Sequence, residues 1–250
     1  MCRHLAYVGP PVALAELLLD PPHALVRQSW APRHQDVGRI NADGWGVGWY
    51  DPTVGVEPAR YRTSTPMWAD HRFEGIARHV RAAHVVAAVR NATPGLPVED
   101  SGAAPFTADH YLFSHNGWVE DWNAGVGVQV RRGVSERREA GIGGRSDSEV
   151  AFALVLDLLD KGLPPADALA TVVADLREVA GGRFNFLLSD GDRVAATRDG
   201  NSLFVHDSTV DGVPVRAVAS EPHDDDPGWR EVPERSVVTL DAEGVRIQPL

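Results

Sequence analysis

Residues 146–189 read SDSEVAFALVLDLLDKGLPPADALATVVADLREVAGGRFNFLLS. Val150, Ala151, Leu154, Val155 and Leu158 recur at helical spacing, which predicts a helix over 146–159. Ser146 and Glu149 form a Ser-x-x-Glu capping box in front of it. A second helix, 165–180, follows a short turn, and 184–189 is an apolar strand. Working outward, residues 2–8 read as a short strand and 12–19 as a helix stopped by Pro21 and Pro22. Residues 45–50 alternate glycine with large side chains, the pattern of a strand with close backbone neighbours on one face. Residues 84–89 are an apolar strand of buried type. Asn116–Gly117, the favoured pair for a tight turn, lies between apolar segments and predicts a hairpin. Beyond 189, short strands alternate with turns at 190–192 and 199–201. Residues 27–43 read as irregular, 91–107 as a long proline-bearing loop, and 125–145, rich in glycine and arginine, as a mobile loop. Strands, then two adjacent helices, then more strands predict an α+β chain with two antiparallel sheets and helices packed outside them.

The 250 residues show no repeat and no linker, so the expectation is one domain over 1–250. The net charge of -11 argues against a nucleic-acid partner. No apolar run reaches the ~18 residues of a spanning helix, and no secretory signal opens the chain. The one cysteine excludes an internal disulfide framework, and a reducing cytoplasm is the expected compartment. No HExxH motif or paired Cys/His set is present, so no metal or other cofactor is expected. Arg131, Arg132, Arg137 and Arg138, diluted by Glu136 and Glu139, read as a solvated basic loop. A homo-oligomer is left open.

That cysteine is Cys2, directly behind Met1. Removal of Met1 is expected, because the second residue is small. The new terminus would then carry an amine and a thiol on one residue. An α-amine titrates at about 8 and a thiol at about 8.5, so the amine is a competent base for its own thiol near neutrality. The alternative is an inert buried cysteine.

The opening Met-Cys-Arg-His-Leu-Ala-Tyr, Asn41-Ala-Asp-Gly-Trp-Gly-Val-Gly-Trp-Tyr50, Val89-Arg-Asn-Ala-Thr-Pro-Gly95, His115-Asn-Gly117 and Ser146-Asp-Ser-Glu149 occur in this order, with Ala219-Ser-Glu-Pro222 near the end. This series resembles the class II glutamine amidotransferases, which are N-terminal-nucleophile hydrolases. The resemblance implies an αββα four-layer sandwich and covers nearly the whole chain. More narrowly, Arg3-His4-Leu5, Leu19-Asp-Pro-Pro22, Gln28-Ser29 and Ser220-Glu-Pro-His-Asp-Asp-Asp226 resemble the branch that hydrolyses γ-glutamyl hercynylcysteine S-oxide in actinobacterial ergothioneine biosynthesis. The chain departs from many amidotransferases in having arginine after the cysteine, and no synthase domain is read in it.

The resemblance implies a role for each matching residue. Cys2 is the nucleophile, and its thioester is resolved by water. Asn116 and Gly117 supply the oxyanion hole, where one donor is worth about 2.7–4 kcal/mol. Arg90 grips the α-carboxylate of the glutamyl group, where its fork fits in a bidentate way, and Thr93 assists. Asp147 holds the α-ammonium. The glycines of 41–50 pack beside Cys2, and Ser220 and Glu221 stand behind it. The partner is a small γ-glutamyl molecule whose quaternary ammonium suits an aromatic wall, with Trp30, Trp45, Trp68 and Trp118 as candidates. Two other readings remain: a glutaminase subunit feeding a separate synthase, and a non-catalytic glutamate-binding module.

Overall fold

The computed structural model describes residues 2–38, 40–93, 95 and 97–250. Met1, whose removal the sequence predicts, and Pro94 of the 89–95 motif lie outside the described residues. Thirteen strands form in chain order among those described: β1 (Arg3–Ala13), β2 (Trp45–Trp49), β3 (Ala59–Thr63), β4 (Arg81–Val89), β5 (Phe106–Ala108), β6 (Tyr111–Val119), β7 (Gly182–Ser189), β8 (Val194–Arg198), β9 (Phe204–Val210), β10 (Val213–Ala219), β11 (Arg230–Glu231), β12 (Ser236–Asp241) and β13 (Gly244–Pro249). They make a seven-stranded sheet, β11-β9-β10-β1-β4-β2-β3, and a six-stranded sheet, β13-β12-β8-β7-β6-β5. The ladders are antiparallel.

Three apolar clusters show how the layers stack. Helices α1 (Leu14–Leu18), α2 (Leu25–Gln28) and α3 (His71–Ala77) bury Leu14, Leu18, Leu25 and Phe73 against Leu5, Val85 and Trp45 of the first sheet. Helices α6 (Asp147–Asp160) and α7 (Pro165–Val179) bury Val150, Val155, Leu169 and Val172 against Phe113 and Phe186 of the second. Between the sheets lie Ala6, Val86, Leu112, Leu187, Val205, Val218 and Val238. The result is the αββα four-layer sandwich. Its logic is the alternation of strand side chains. Leu5 and Tyr7 face the helices while Ala6 faces the other sheet, and Phe113 and Leu112 divide in the same way.

The capping box forms as expected. Ser146 Oγ accepts from Glu149 N at 3.2 Å and Glu149 Oε2 accepts from Ser146 N at 3.4 Å. Helix α6 is apolar nearly all round because it lies between the second sheet and its neighbour α7. Phe113 and Phe152 stack at 4.9 Å with 5° between their planes, which seats it on β6.

Two expectations are corrected. Asn116–Gly117 is not a hairpin turn, for β6 runs straight through it and pairs with β7 in the register Asn116↔Asn185 and Gly117↔Phe184. The glycine is required there by space, because a Cβ would stand 1.8 Å from Arg183 O. The real hairpin joins β5 to β6, with Asp109 in the left-handed region at φ +52°. The segment 125–145 is also not a bare loop. It contains α4 (Val126–Arg131) and α5 (Glu136–Glu139), and Ser135 caps α5 by accepting from Arg138 N. Arg138, read as solvated, is buried and paired with Asp160 at 2.6 Å and Asp109 at 3.0 Å.

Leu187 lies wholly buried between the sheets, whereas Val54 is 85% exposed. Leu187→Ala should destabilise the fold by about 2–5 kcal/mol, and Val54→Ala by no more than about 0.5 kcal/mol. Urea midpoints measured on both variants check this assignment of the core.

Candidate active site

Strand β1 runs backward toward the N-terminus from an apolar interior to a polar mouth. Ala6 lies in the inter-sheet core, His4 follows on the same face, and Cys2 precedes the strand. Strand β4 passes from Val86 to Ala88 and delivers Arg90 just beyond its end. Strand β6 passes from Leu112 to Ser114 to Asn116. The three strands therefore open together at one end of the sandwich. There an open cleft is lined by Cys2, Arg90, Thr93, Gly117 and Asp147, together with Ser114, His115 and Ser148.

Cys2 is partly buried, and its Sγ lies 3.9 Å from Asn91 O. Its carbonyl accepts from Arg3 Nε at 2.7 Å. Arg3 is fully buried, stands 3.8 Å from the buried Glu221 and also donates to His34 O at 3.3 Å. Burial pulls the Arg3 guanidinium down to about 10, against the opposing pull of Glu221. Glu221 Oε2 accepts from Arg33 N at 2.6 Å. Behind the nucleophile, Ser220 Oγ accepts from His4 N at 2.9 Å and from Asn116 Nδ2 at 3.2 Å, and Ser220 N donates to His4 O at 2.8 Å. Ser220 and Glu221, which the sequence left between a supporting role and a plain strand-end turn, thus stand behind Cys2 through His4 and Arg3.

Arg90 is held through both its backbone and its guanidinium. Its N–H donates to Gly44 O at 2.8 Å, and its carbonyl accepts from Asp43 N at 3.0 Å. Asp43 Oδ2 accepts from Ala92 N at 2.8 Å, so one carboxylate shapes the bend that follows β4. Both terminal nitrogens of Arg90 donate to Pro97 O at 3.2 Å. Gly102 lets the guanidinium lie flat on the chain, since a Cβ there would stand 2.7 Å from Arg90 Cζ. Asp147, at the first turn of α6, is buried. Its Oδ2 accepts from Val119 N at 2.8 Å and its Oδ1 from Ser148 N at 2.8 Å. A guanidinium and a carboxylate on one cleft suit a zwitterion such as an amino acid end.

Asn116 is fully buried and does not line the cleft; one N–H of its side-chain amide is spent on Ser220. Its Oδ1 and backbone carbonyl accept from Asn201 Nδ2 at 3.3 and 2.8 Å, and Asn185 holds the 199–201 turn in place. The glycines of 41–50 are not packed beside Cys2. Added Cβ atoms at Gly44, Gly46 and Gly48 would meet Thr63 O, Ala104 O and Leu112 within 2.7 Å. They let β2 lie close to β3, to the 103–105 segment and to β6.

Sequence reading missed Ser148 and His115 as lining groups, although both lie inside motifs it quoted. His115 Nε2 is 2.9 Å from Arg183 O and must carry a proton to satisfy that carbonyl. Its Nδ1 lies 3.1 Å from Ser148 Oγ, whose one proton is shared between that nitrogen and Asp147 Oδ1, 3.2 Å away. The Asn185–Asn201 support has no local sequence signal. Among the described residues no group of three or more His, Cys, Asp and Glu side chains is placed to hold a metal ion, and no helix is long and apolar enough to cross a membrane.

Comparison with known proteins follows this geometry. A family model described as "Glutamine amidotransferases class-II" matches residues 23–209. The chain is 42% identical to the gamma-glutamyl-hercynylcysteine sulfoxide hydrolase of Mycolicibacterium smegmatis, with 100% of each chain aligned. It is 39% identical to the protein of the same name from Mycobacterium tuberculosis H37Rv, covering 100% of this chain and 97% of that one. Among solved structures, the glutamine aminotransferase class-II domain protein from Silicibacter pomeroyi superposes with a TM-score of 0.71 at 28% identity, covering 99% of both chains.

His4 supplies a test of how dry the floor of the site is. Its Nδ1 lies 3.2 Å from Ser114 Oγ, and its Nε2 has no partner among the described residues. Burial, reinforced by the charge of Arg3, pulls it from 6.5 down to about 3. Above pH 6.5 neither the native nor the unfolded chain protonates this ring, so it has no effect on stability. Below that, the unfolded chain binds a proton that the native state refuses, and stability falls with pH by at most about 1.4 kcal/mol per unit. His4→Asn keeps a group for Ser114 and does not titrate. Its unfolding free energy relative to the parent should therefore improve as the buffer goes from about pH 7 to about pH 4. A pH-independent difference in guanidinium titrations would show the ring to be solvated.

Proposed function

This chain belongs to the class II glutamine amidotransferase family, and we propose that it hydrolyses the γ-glutamyl amide of γ-glutamyl hercynylcysteine S-oxide. The products are glutamate and hercynylcysteine S-oxide, on the route to ergothioneine. The observation that carries this reading is the meeting of Cys2, Arg90 and Asp147 on one cleft. A relative named for that activity aligns along the full length. With Met1 removed, residues 2–250 act as one catalytic unit, and a reducing cytoplasm keeps the thiol free.

The substrate enters with its glutamyl end first. Arg90 pairs with the α-carboxylate, Thr93 donates its hydroxyl to the same group, and Asp147 accepts from the α-ammonium. The α-amine of Cys2 takes the thiol proton, and the thiolate attacks the γ-carbonyl carbon. The oxygen of the tetrahedral intermediate draws on the N–H of Gly117, which lines the cleft; the amide N–H of Asn116 that Ser220 leaves over joins it only by turning out of its buried place behind the cleft wall. Collapse breaks the C–N bond as the ammonium returns its proton to the leaving amine, and a γ-glutamyl thioester remains on Cys2. Water, deprotonated by the same amine, attacks the thioester, and glutamate leaves with the thiol restored. These steps need no cofactor.

The mature enzyme should begin at Cys2, and intact mass checks this directly. Met1 retained in active protein would remove the amine from the mechanism. Cys2→Ala should bind substrate and turn none over in a glutamate-release assay.

Arg90→Ala should lower the specificity constant for every γ-glutamyl substrate alike, by about tenfold to a few hundredfold, as charged hydrogen bonds are worth roughly 1.5–3 kcal/mol each. Asp147→Asn should cost a similar factor and also lower the melting temperature, because its carboxylate accepts the backbone N–H groups of Val119 and Ser148. Parental kinetics in either variant would make that residue structural.

A further inference from the structure

A second cleft adjoins the nucleophile. It offers about 370 Å³ and is lined by Val37, Gly38, Asn91, Ala92, Thr93, Gly117 and Trp118. Asn91, Ala92, Thr93 and Gly117 also line the cleft that holds Cys2. The two spaces therefore meet at the γ-carbonyl position, with the glutamyl-binding charges in one and an apolar wall in the other. Val37 is 52% exposed although it is a β-branched apolar side chain beside the site. Trp118 is the inward-facing residue that follows Leu112, Ser114 and Asn116 along β6, at the rim of the sandwich.

The other three tryptophans that the sequence offers for an aromatic wall are placed elsewhere. Trp45 is buried between the first sheet and its helices, against Phe73 and Tyr61. Trp68 lines a cavity with Met67, Asp70 and His71 on the helical side of that sheet. The Trp30 ring is capped by Arg27, whose Cζ lies 4.2 Å from the centroid.

Resting on the substrate class proposed above, we infer that the Trp118–Val37 cleft holds the leaving half of the substrate and that Trp118 is a specificity-determining residue. The part it takes is the flat imidazole ring, stacked on the indole. Arg183 already holds the position of a cation over this ring, with Cζ 5.2 Å from its centroid, steadied by Asn201 Oδ1 at 2.7 Å. Asp36 stands 3.8 Å from the same guanidinium, but a cation already occupies the ring, so a quaternary ammonium on the substrate points away toward solvent. Binding energy gathered here, remote from the scissile bond, is available to the transition state only for substrates long enough to reach it.

The test compares glutamine, γ-glutamyl-p-nitroanilide and γ-glutamyl hercynylcysteine S-oxide in steady state, on the parent, Trp118→Ala, Trp118→Phe and Val37→Arg. The quantity read is the specificity constant for each long substrate divided by that for glutamine. Trp118→Ala should lower both ratios by about tenfold or more, and Trp118→Phe, which keeps a flat ring, by no more than about threefold. Val37→Arg, at an exposed position that cannot unfold the chain, should lower the ratio for the sulfoxide as well. If Trp118→Ala does not fold, Val37→Arg carries the test alone. Ratios that stay at parental values, or losses equal for all three substrates, overturn the assignment. Failure of the substrate reading is seen separately: the parent would then turn over glutamine as well as the sulfoxide, while the p-nitroanilide ratio still decides the cleft.

Discussion

The hydroxyl of Ser220 joins the two sheets at an end of the sandwich where the interior turns polar. It accepts from His4 N, on a strand of the first sheet, and from Asn116 Nδ2, on a strand of the second. All three residues are buried. Buried polar groups without partners cost about 1–3 kcal/mol each, so a network of this kind has few arrangements that satisfy it. That requirement sets the spacing of the sheets at their open end. It also sets the position of Cys2, two residues before His4.

The same end shows how an apolar sandwich makes room for chemistry. Along β1, β4 and β6 the inward side chains change from Ala6, Val86 and Leu112 to Cys2, Arg90 and Asn116. Packing holds the strands in register deep in the sandwich, and the ladders carry that rigidity to the mouth. Each polar group at the mouth is then pinned by a local device. Arg3 holds the carbonyl of Cys2, Gly102 and Pro97 O seat the Arg90 guanidinium, and the capped end of α6 presents Asp147. Cys2, Arg90 and Asp147 thus sit on strand ends and a helix start, where side chains lose little entropy on binding a ligand.

In the proposed complex the two adjoining clefts would divide the substrate at the bond to be cut. Charges gather on the glutamyl side, where both ends of a zwitterion need opposite partners. An indole and a valine lie on the other side, where a larger and flatter group leaves. Gly117 and residues 91–93 belong to both, so the backbone between them is the natural place for the reacting carbonyl.

Much of this was legible in the chain. The periodicity of 146–159 and its capping box set α6, the apolar runs set β4 and β7, and Cys2, Arg90, Thr93, Gly117 and Asp147 were named before any geometry. Local chemistry was enough there, because helix caps and apolar periodicity act over a few residues. The Asn116–Gly117 turn failed for the opposite reason. Its local preference was outweighed by pairing with β7, and the glycine answers to the carbonyl of Arg183 rather than to a turn. The 125–145 segment was misread because Arg138 finds Asp160 and Asp109 only when distant parts of the chain meet. Nothing in the sequence ranked Trp118 above three other tryptophans, or joined His4 to Ser220 across 216 residues. Residue types and local periods determined the elements and the chemistry on offer. Which side chains face the same space was decided by sheet register and layer packing, since one residue of register sends a side chain to the opposite face.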